Sequence, residues 1–138
     1  MDIRVFHESD EPAVVALWQA CGLVVPWNDP SRDIERKMSV GRELFLVGEI
    51  DGVLVASVMG GYDGHRGWIN YLAVDPQHRR QGLGEVMMEA AEISLRKQGC
   101  PKINLQVRTS NAEVIEFYRA IGYLEDEVVS FGKRLEQD

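Results

Sequence analysis

The most constraining feature of this chain is a junction. An apolar run, Trp68-Ile69-Asn70-Tyr71-Leu72-Ala73-Val74, stops at Asp75-Pro76 and passes through Gln77-His78-Arg79-Arg80-Gln81-Gly82-Leu83-Gly84 into an amphipathic stretch. There Leu83, Val86, Met87, Ala90, Ala91, Ser94 and Leu95 recur at helical spacing, which predicts a helix from about Gly82 to Gln98. Two glycines at a helix start let successive N–H groups converge on one point, at the positive end of the helix dipole. Arg79 and Arg80 add positive charge. The expected ligand is a phosphate or pyrophosphate held mainly by backbone.

Two familiar phosphate motifs are excluded. A P-loop needs Gly-Lys-Ser/Thr, and this chain has Gly84-Glu85-Val86. A dinucleotide fingerprint needs a third glycine where Met87 stands. What remains is Arg79-x-x-Gly82-x-Gly84 after a strand. On these residues alone, a glycine-rich helix entry with solvated arginines is the competing explanation.

The flanking segments define the architecture. Ile3 to Phe6 reads as a strand, and Ser9 or Asp10 caps a helix that begins at Glu11-Pro12 and ends at Gly22. Asp29 or Ser31 starts a second helix through about Val40. Strands Glu43–Ile50 and Val53–Gly60 flank Asp51-Gly52, a strong hairpin signal. After the long helix come a strand at Ile103–Val107, a helix capped by Ser110 or Asn111 and ending near Ile121-Gly122, and an extended tail with Val128, Val129 and Phe131 as core residues. The predicted order is β-α-α-β-β-β-α-β-α-β. An antiparallel meander feeding a βαβ unit implies an α+β sandwich with a mixed sheet.

At 138 residues, with no repeat or long linker, the chain is expected to form a single domain over 1–138. Fifteen basic against 22 acidic residues give a net charge of −7. That disfavours bulk nucleic acid or an anionic membrane as partner and suits a cationic substrate. No apolar run reaches membrane-spanning length, and Met1 to His7 lacks a signal-peptide layout, so a cytoplasmic protein is expected. Cys21 and Cys100 form no metal-ligand spacing and read as reduced, ordinary residues.

A second constellation lies about 30 residues beyond the glycines: Asn111, then Phe117-Tyr118, then Gly122-Tyr123. Taken singly, Asn111 is a helix cap and Tyr118 a core tyrosine. Together with Leu72-Ala73-Val74-Asp75-Pro76 and Arg79-x-x-Gly82-x-Gly84, they make the sequence resemble the GNAT superfamily of acetyl-coenzyme-A-dependent N-acetyltransferases, and within it the RimI-like group that acetylates protein N-termini.

The resemblance implies a GNAT-like, mostly antiparallel sheet flanked by helices, and it implies roles. The pantetheine arm of acetyl-CoA would pair with the exposed backbone of Leu72, Ala73 and Val74. Amides in the turn Arg79, Arg80, Gln81, Gly82, Leu83 and Gly84 would hold the pyrophosphate. Asn111 matches the side chain that contacts the coenzyme arm, and Tyr118 matches the general acid beside its sulfur. The acceptor is an amine, no metal is needed, and the family's habit of pairing allows a homodimer to which the apolar tail contributes. Physical chemistry agrees: attack by a neutral amine builds negative charge on the thioester oxygen, which a strand N–H near Leu72 can stabilise. Direct attack is expected, since neither Cys21 nor Cys100 has a nucleophile-like setting.

One position departs from the group. RimI-like enzymes carry a catalytic Glu where this chain has Gln106, and a neutral amide cannot take a proton from the amine. Base catalysis would then come through water, from another group, or from a substrate that arrives unprotonated. Glu49, Asp63, His65 and Glu113 are candidate bases, and each reads more ordinarily as a surface residue. In the family the first two helices and their connection wall the acceptor pocket, which makes Trp18, Trp27, Asn28, Asp29 and Asp33 candidates for that wall; core aromatics, with Asp29 as a helix cap, are the more ordinary reading. The rival reading is a non-catalytic module that binds acyl-CoA or docks a protein; Gln106 favours it and Tyr118 opposes it.

Overall fold

A computed structural model describes residues 1–138. They fall into two compact units, one of Met1–Asn104 with Asp138 and one of Leu105–Gln137.

The first unit is built on a five-stranded sheet. Its strands are β1 (Asp2–Val5), β2 (Phe45–Ile50), β3 (Val53–Tyr62), β4 (Gly67–Val74) and β5 (Ile103–Asn104), in that spatial order. The first four are antiparallel neighbours, and β5 runs parallel to β4. Helices α1 (Glu11–Ala20), α2 (Pro30–Met38) and α3 (Leu83–Lys97) complete it. Turn chemistry fixes the joints. Asp51 and Gly52 both take positive φ, as the two-residue hairpin between β2 and β3 demands. The Asp29 carboxylate caps α2 by accepting from the Ser31 and Arg32 amides. Neither expected cap serves α1. Asp10 instead accepts two hydrogen bonds from Arg4, at 2.7 and 2.9 Å, and one from the His7 amide, which ties β1 to the helix entry.

The two faces of the sheet carry different partners. Phe45, Val47, Met59 and Ala73 face α1 and α2, where they pack with Phe6, Val14, Leu17, Trp18 and Ile34. One residue along each strand, Gly48 and Gly60 lie beneath Met87 and Leu95 of α3. A Cβ at Gly48 would fall 2.7 Å from Met1 Sδ and 3.2 Å from Met87 Sδ, so glycine there lets two methionine side chains pack against the strand. Trp18 is fully buried and stacks on Tyr71 at 3.7 Å between ring centroids. It is therefore core, not acceptor wall. Trp18→Ala is expected to lower stability by about 3–5 kcal/mol, read as a fall in the urea midpoint at constant slope.

The second unit holds helix α4 (Ala112–Ala120). Of the two candidate caps, Asn111 is the one used: its side-chain oxygen accepts from the Val114 amide at 3.3 Å. At the far end, Gly122 takes φ +99° and the Tyr123 amide returns to the Tyr118 carbonyl at 2.9 Å.

Two expectations are corrected. The strand expected at Ile103–Val107 stops at Asn104. The tail beyond Tyr123 forms no strand, and Val128, Val129 and Phe131 are 77%, 78% and 93% exposed rather than core. Apolar character supplies no ladder by itself, because a strand needs a neighbouring edge to accept its amides. The adjacent Val128-Val129 pair, preceded by Glu125-Asp126-Glu127, also lacks the alternation that would bury one face.

Candidate active site

Strand β4 and the turn after it bring nine of the expected coenzyme-binding residues into one continuous path. The path begins with a defect in the sheet. Ser57 pairs with Ala73 and Met59 with Asn70, so Tyr71 and Leu72 together oppose the single residue Val58. This is a β-bulge, and Tyr71 takes φ +52° in it, a costly conformation for a side chain of that size.

The other edge of β4 opens at about the same level. β5 pairs with β4 only at Gly67 and Trp68, which leaves the rest of that edge without a strand neighbour. The Asp75 amide donates to the Val55 carbonyl on the β3 side at 2.8 Å. By the two-residue period of a strand, Ala73 also faces β3 and Val74 turns its N–H and C=O groups to the open edge. At Leu72, inside the bulge, the same direction for the N–H follows from the Tyr71 carbonyl, which is held on the β3 side by the Ser57 hydroxyl. Those groups are available to an extended ligand that hydrogen-bonds like a strand. The Val74 carbonyl also accepts the Cys21 thiol at 3.2 Å, which gives that cysteine a structural role.

Past Val74, the Asp75 carboxylate caps a short turn at Pro76–His78 by accepting from the Gln77 amide at 2.8 Å. Arg80 at φ +65° and Gly82 at φ +75° then curl the chain into α3. The Val86 amide is the first to reach back, to the Gly82 carbonyl at 3.2 Å, and no side chain caps this helix. The amides of Leu83, Gly84 and Glu85 thus face outward at the positive end of a 15-residue helix. A Cβ on Gly82 would meet no atom within 4 Å, so the turn is open at that position. Arg79, Arg80 and Gln81 are exposed beside it. The arrangement suits an anion.

Asn111 and Tyr118 belong to the second unit. The Asn111 side-chain oxygen serves the cap of α4, as above. Tyr118 is 9% exposed, with ring contacts to Phe117 and Tyr123 at 5.0 and 5.6 Å. Burial pushes its phenol up to about 12, so it remains a neutral donor across the working pH range. Gln106 is exposed and donates to the Ser130 hydroxyl.

The alternative bases are engaged elsewhere or exposed. Glu49 accepts from Arg4 at 2.6 Å. Asp63 accepts from the His65 and Arg66 amides at 2.7 Å each, and these bonds hold its carboxyl below the usual range. His65 and Glu113 are exposed. On the acceptor side, Trp27 is exposed, Asp29 is the α2 cap, and Asp33 accepts from the Tyr71 hydroxyl at 2.6 Å. Sequence reasoning missed Ser57 and the bulge at Tyr71; the one available signal was a hydroxyl inside the apolar run Leu54 to Met59.

Comparisons with known proteins bear on the family and the fold. The model of the acetyltransferase (GNAT) family matches residues 9–123, which run through both units. An acetyltransferase of Sodalis glossinidius is 48% identical over 139 residues, covering 100% of this chain and 98% of its own. Among solved structures, Ard1 from Thermoplasma volcanium gives a TM-score of 0.80 at 28% identity over 89% of this chain and 82% of its own. The ribosomal-protein-S18-alanine N-acetyltransferase from Escherichia coli gives 0.76 at 27% identity over 91% and 78%.

Proposed function

The chain belongs to the acetyltransferase (GNAT) family, and from that premise we propose that it moves the acetyl group of acetyl-CoA to a primary amine by direct attack in a ternary complex. The observation that carries this reading is the path along β4 into α3. An open strand edge at Leu72 to Val74 leads to an uncapped helix N-terminus at Gly82, which matches a ligand with an amide-bearing arm and a pyrophosphate. The arm pairs with the strand edge, and the pyrophosphate takes the amides from Arg79 through Gly84, with Asn111 as a further coenzyme contact. The Leu72 N–H stabilises the oxyanion, and Tyr118 donates a hydrogen bond to the departing thiolate. The whole of 1–138 acts as one acetyltransferase domain.

The acceptor is an amine that arrives substantially neutral. Gln106 supplies no base, and the alternatives are tied up in ion pairs and turns or are exposed. An α-amine, with a reference value of about 7.7–8.0, is substantially neutral at pH 7.5, whereas a lysine-like amine near 10.4 is about one part in a thousand neutral. This favours the α-amine of a peptide or protein, and with it the RimI-like group.

A thiol-release screen over α-amino peptides, amino acids and polyamines tests the proposal. α-Amino acceptors are expected to turn over, with kcat/KM rising about ten-fold per pH unit below the acceptor's own pKa. Turnover confined to polyamines would move the substrate class. Calorimetry with no acetyl-CoA binding would overturn the reading.

A further inference from the structure

We propose that Ser57 is a positioning residue for the transfer step: it grips the carbonyl end of the peptide whose N–H end meets the oxyanion. The inference rests on the acetyl-CoA reading above and adds a residue to it.

Ser57 is fully buried at the centre of β3. Its Oγ donates to the Tyr71 carbonyl at 2.9 Å and accepts from Trp18 Nε1 at 2.9 Å. The Tyr71 carbonyl and the Leu72 amide belong to one planar trans peptide, so they point in opposite directions. With the carbonyl held against β3, the Leu72 N–H is aimed at the open edge of β4. A hydrogen bond at the carbonyl also polarises the peptide and strengthens its N–H as a donor.

This peptide would not hold its direction unaided. Ordinary ladder geometry is lost at the bulge, and Tyr71 at φ +52° is in a region that costs about 1–3 kcal/mol and persists only where its surroundings over-determine it. Three contacts do so. Trp18 stacks on the Tyr71 ring, Asp33 accepts from its hydroxyl at 2.6 Å, and Ser57 fixes its carbonyl. Of these, only the Ser57 bond acts on the peptide plane itself.

The test follows the thioester carbonyl of bound, carbonyl-13C acetyl-CoA by infrared difference spectroscopy, which needs no acceptor. The wild-type protein is expected to shift this stretch to lower wavenumber than in free acetyl-CoA. In Ser57→Ala the shift should disappear, kcat should fall about ten-fold on the best amine, and the calorimetric Kd for acetyl-CoA should change by less than three-fold. Ser57→Cys keeps the volume and offers only a weak donor, so it covers the case in which the alanine variant fails to fold. Trp18→Phe keeps the stack on Tyr71 and leaves Ser57 free to donate, so it should retain the shift. A folded Ser57 variant with wild-type shift and kcat would overturn the positioning role and leave the acetyl-CoA reading intact. A wild-type protein that binds no acetyl-CoA would overturn both.

Discussion

Tyr118→Phe is expected to lower kcat about 100-fold while leaving the KM for acetyl-CoA within about two-fold. The size of the effect follows from what the phenol can do. An alkyl thiol titrates near 8.5, and burial pushes Tyr118 up to about 12, so complete proton transfer from phenol to thiolate is uphill by about 5 kcal/mol. The proposed role is accordingly a charge-assisted hydrogen bond that forms as the C–S bond breaks. Such bonds contribute about 1.5–3 kcal/mol, or roughly 10- to 150-fold in rate. Full general-acid catalysis would predict up to about 10⁴-fold. The pH profile separates the two further. A phenol that acts as a neutral donor gives no descending limb below about pH 11, so the wild-type rate should rise to a plateau set by the amine and stay there. A phenylalanine variant with wild-type kcat would remove Tyr118 from the mechanism without touching the coenzyme site.

How much of this was legible in the sequence depends on how locally each feature is encoded. The Asp51-Gly52 hairpin, the Gly82 entry to α3 and the Gly122 stop were readable because positive φ favours particular residues. Helix α3 was readable because its apolar spacing repeats over four turns. Trp18 stayed open between core and acceptor wall because an aromatic residue on an amphipathic helix looks the same whether it faces core or ligand. Asp10 shows the same limit: beside a helix start it reads as a cap, but the distant Arg4 claims its carboxylate. The bulge at Tyr71 had no local signal at all. It arises from the register between β3 and β4, and a bulky residue such as tyrosine is rare at positive φ. The tail failed for the opposite reason, since Val128, Val129 and Phe131 have strand-like character but form no ladder.

Gly82→Glu is expected to weaken acetyl-CoA binding about 100-fold, and the comparison with Gly82→Asn shows why charge dominates. At φ +75° any L residue carries backbone strain, about 1 kcal/mol, and asparagine tolerates that region better than most. Neither side chain clashes at its Cβ, because nothing lies within 4 Å of that position. Both variants should therefore fold, with melting temperatures lowered by a few degrees. They differ in what they project toward the amides of Leu83, Gly84 and Glu85. A carboxylate about 5 Å from one phosphate charge costs about 1–2 kcal/mol at an effective dielectric of 40–80, and a pyrophosphate carries more than one such charge. It can also occupy the helix N-terminus itself, as a cap that competes with the ligand. Asparagine adds bulk without charge and should weaken binding less than ten-fold. Because the penalty is electrostatic and exposed, raising salt from 0.05 to about 0.5 M should narrow the gap between the two variants severalfold. Equal affinities for Gly82→Glu, Gly82→Asn and wild type would mean that the coenzyme's phosphates lie elsewhere, and the assignment of the β4–α3 path would fall with them.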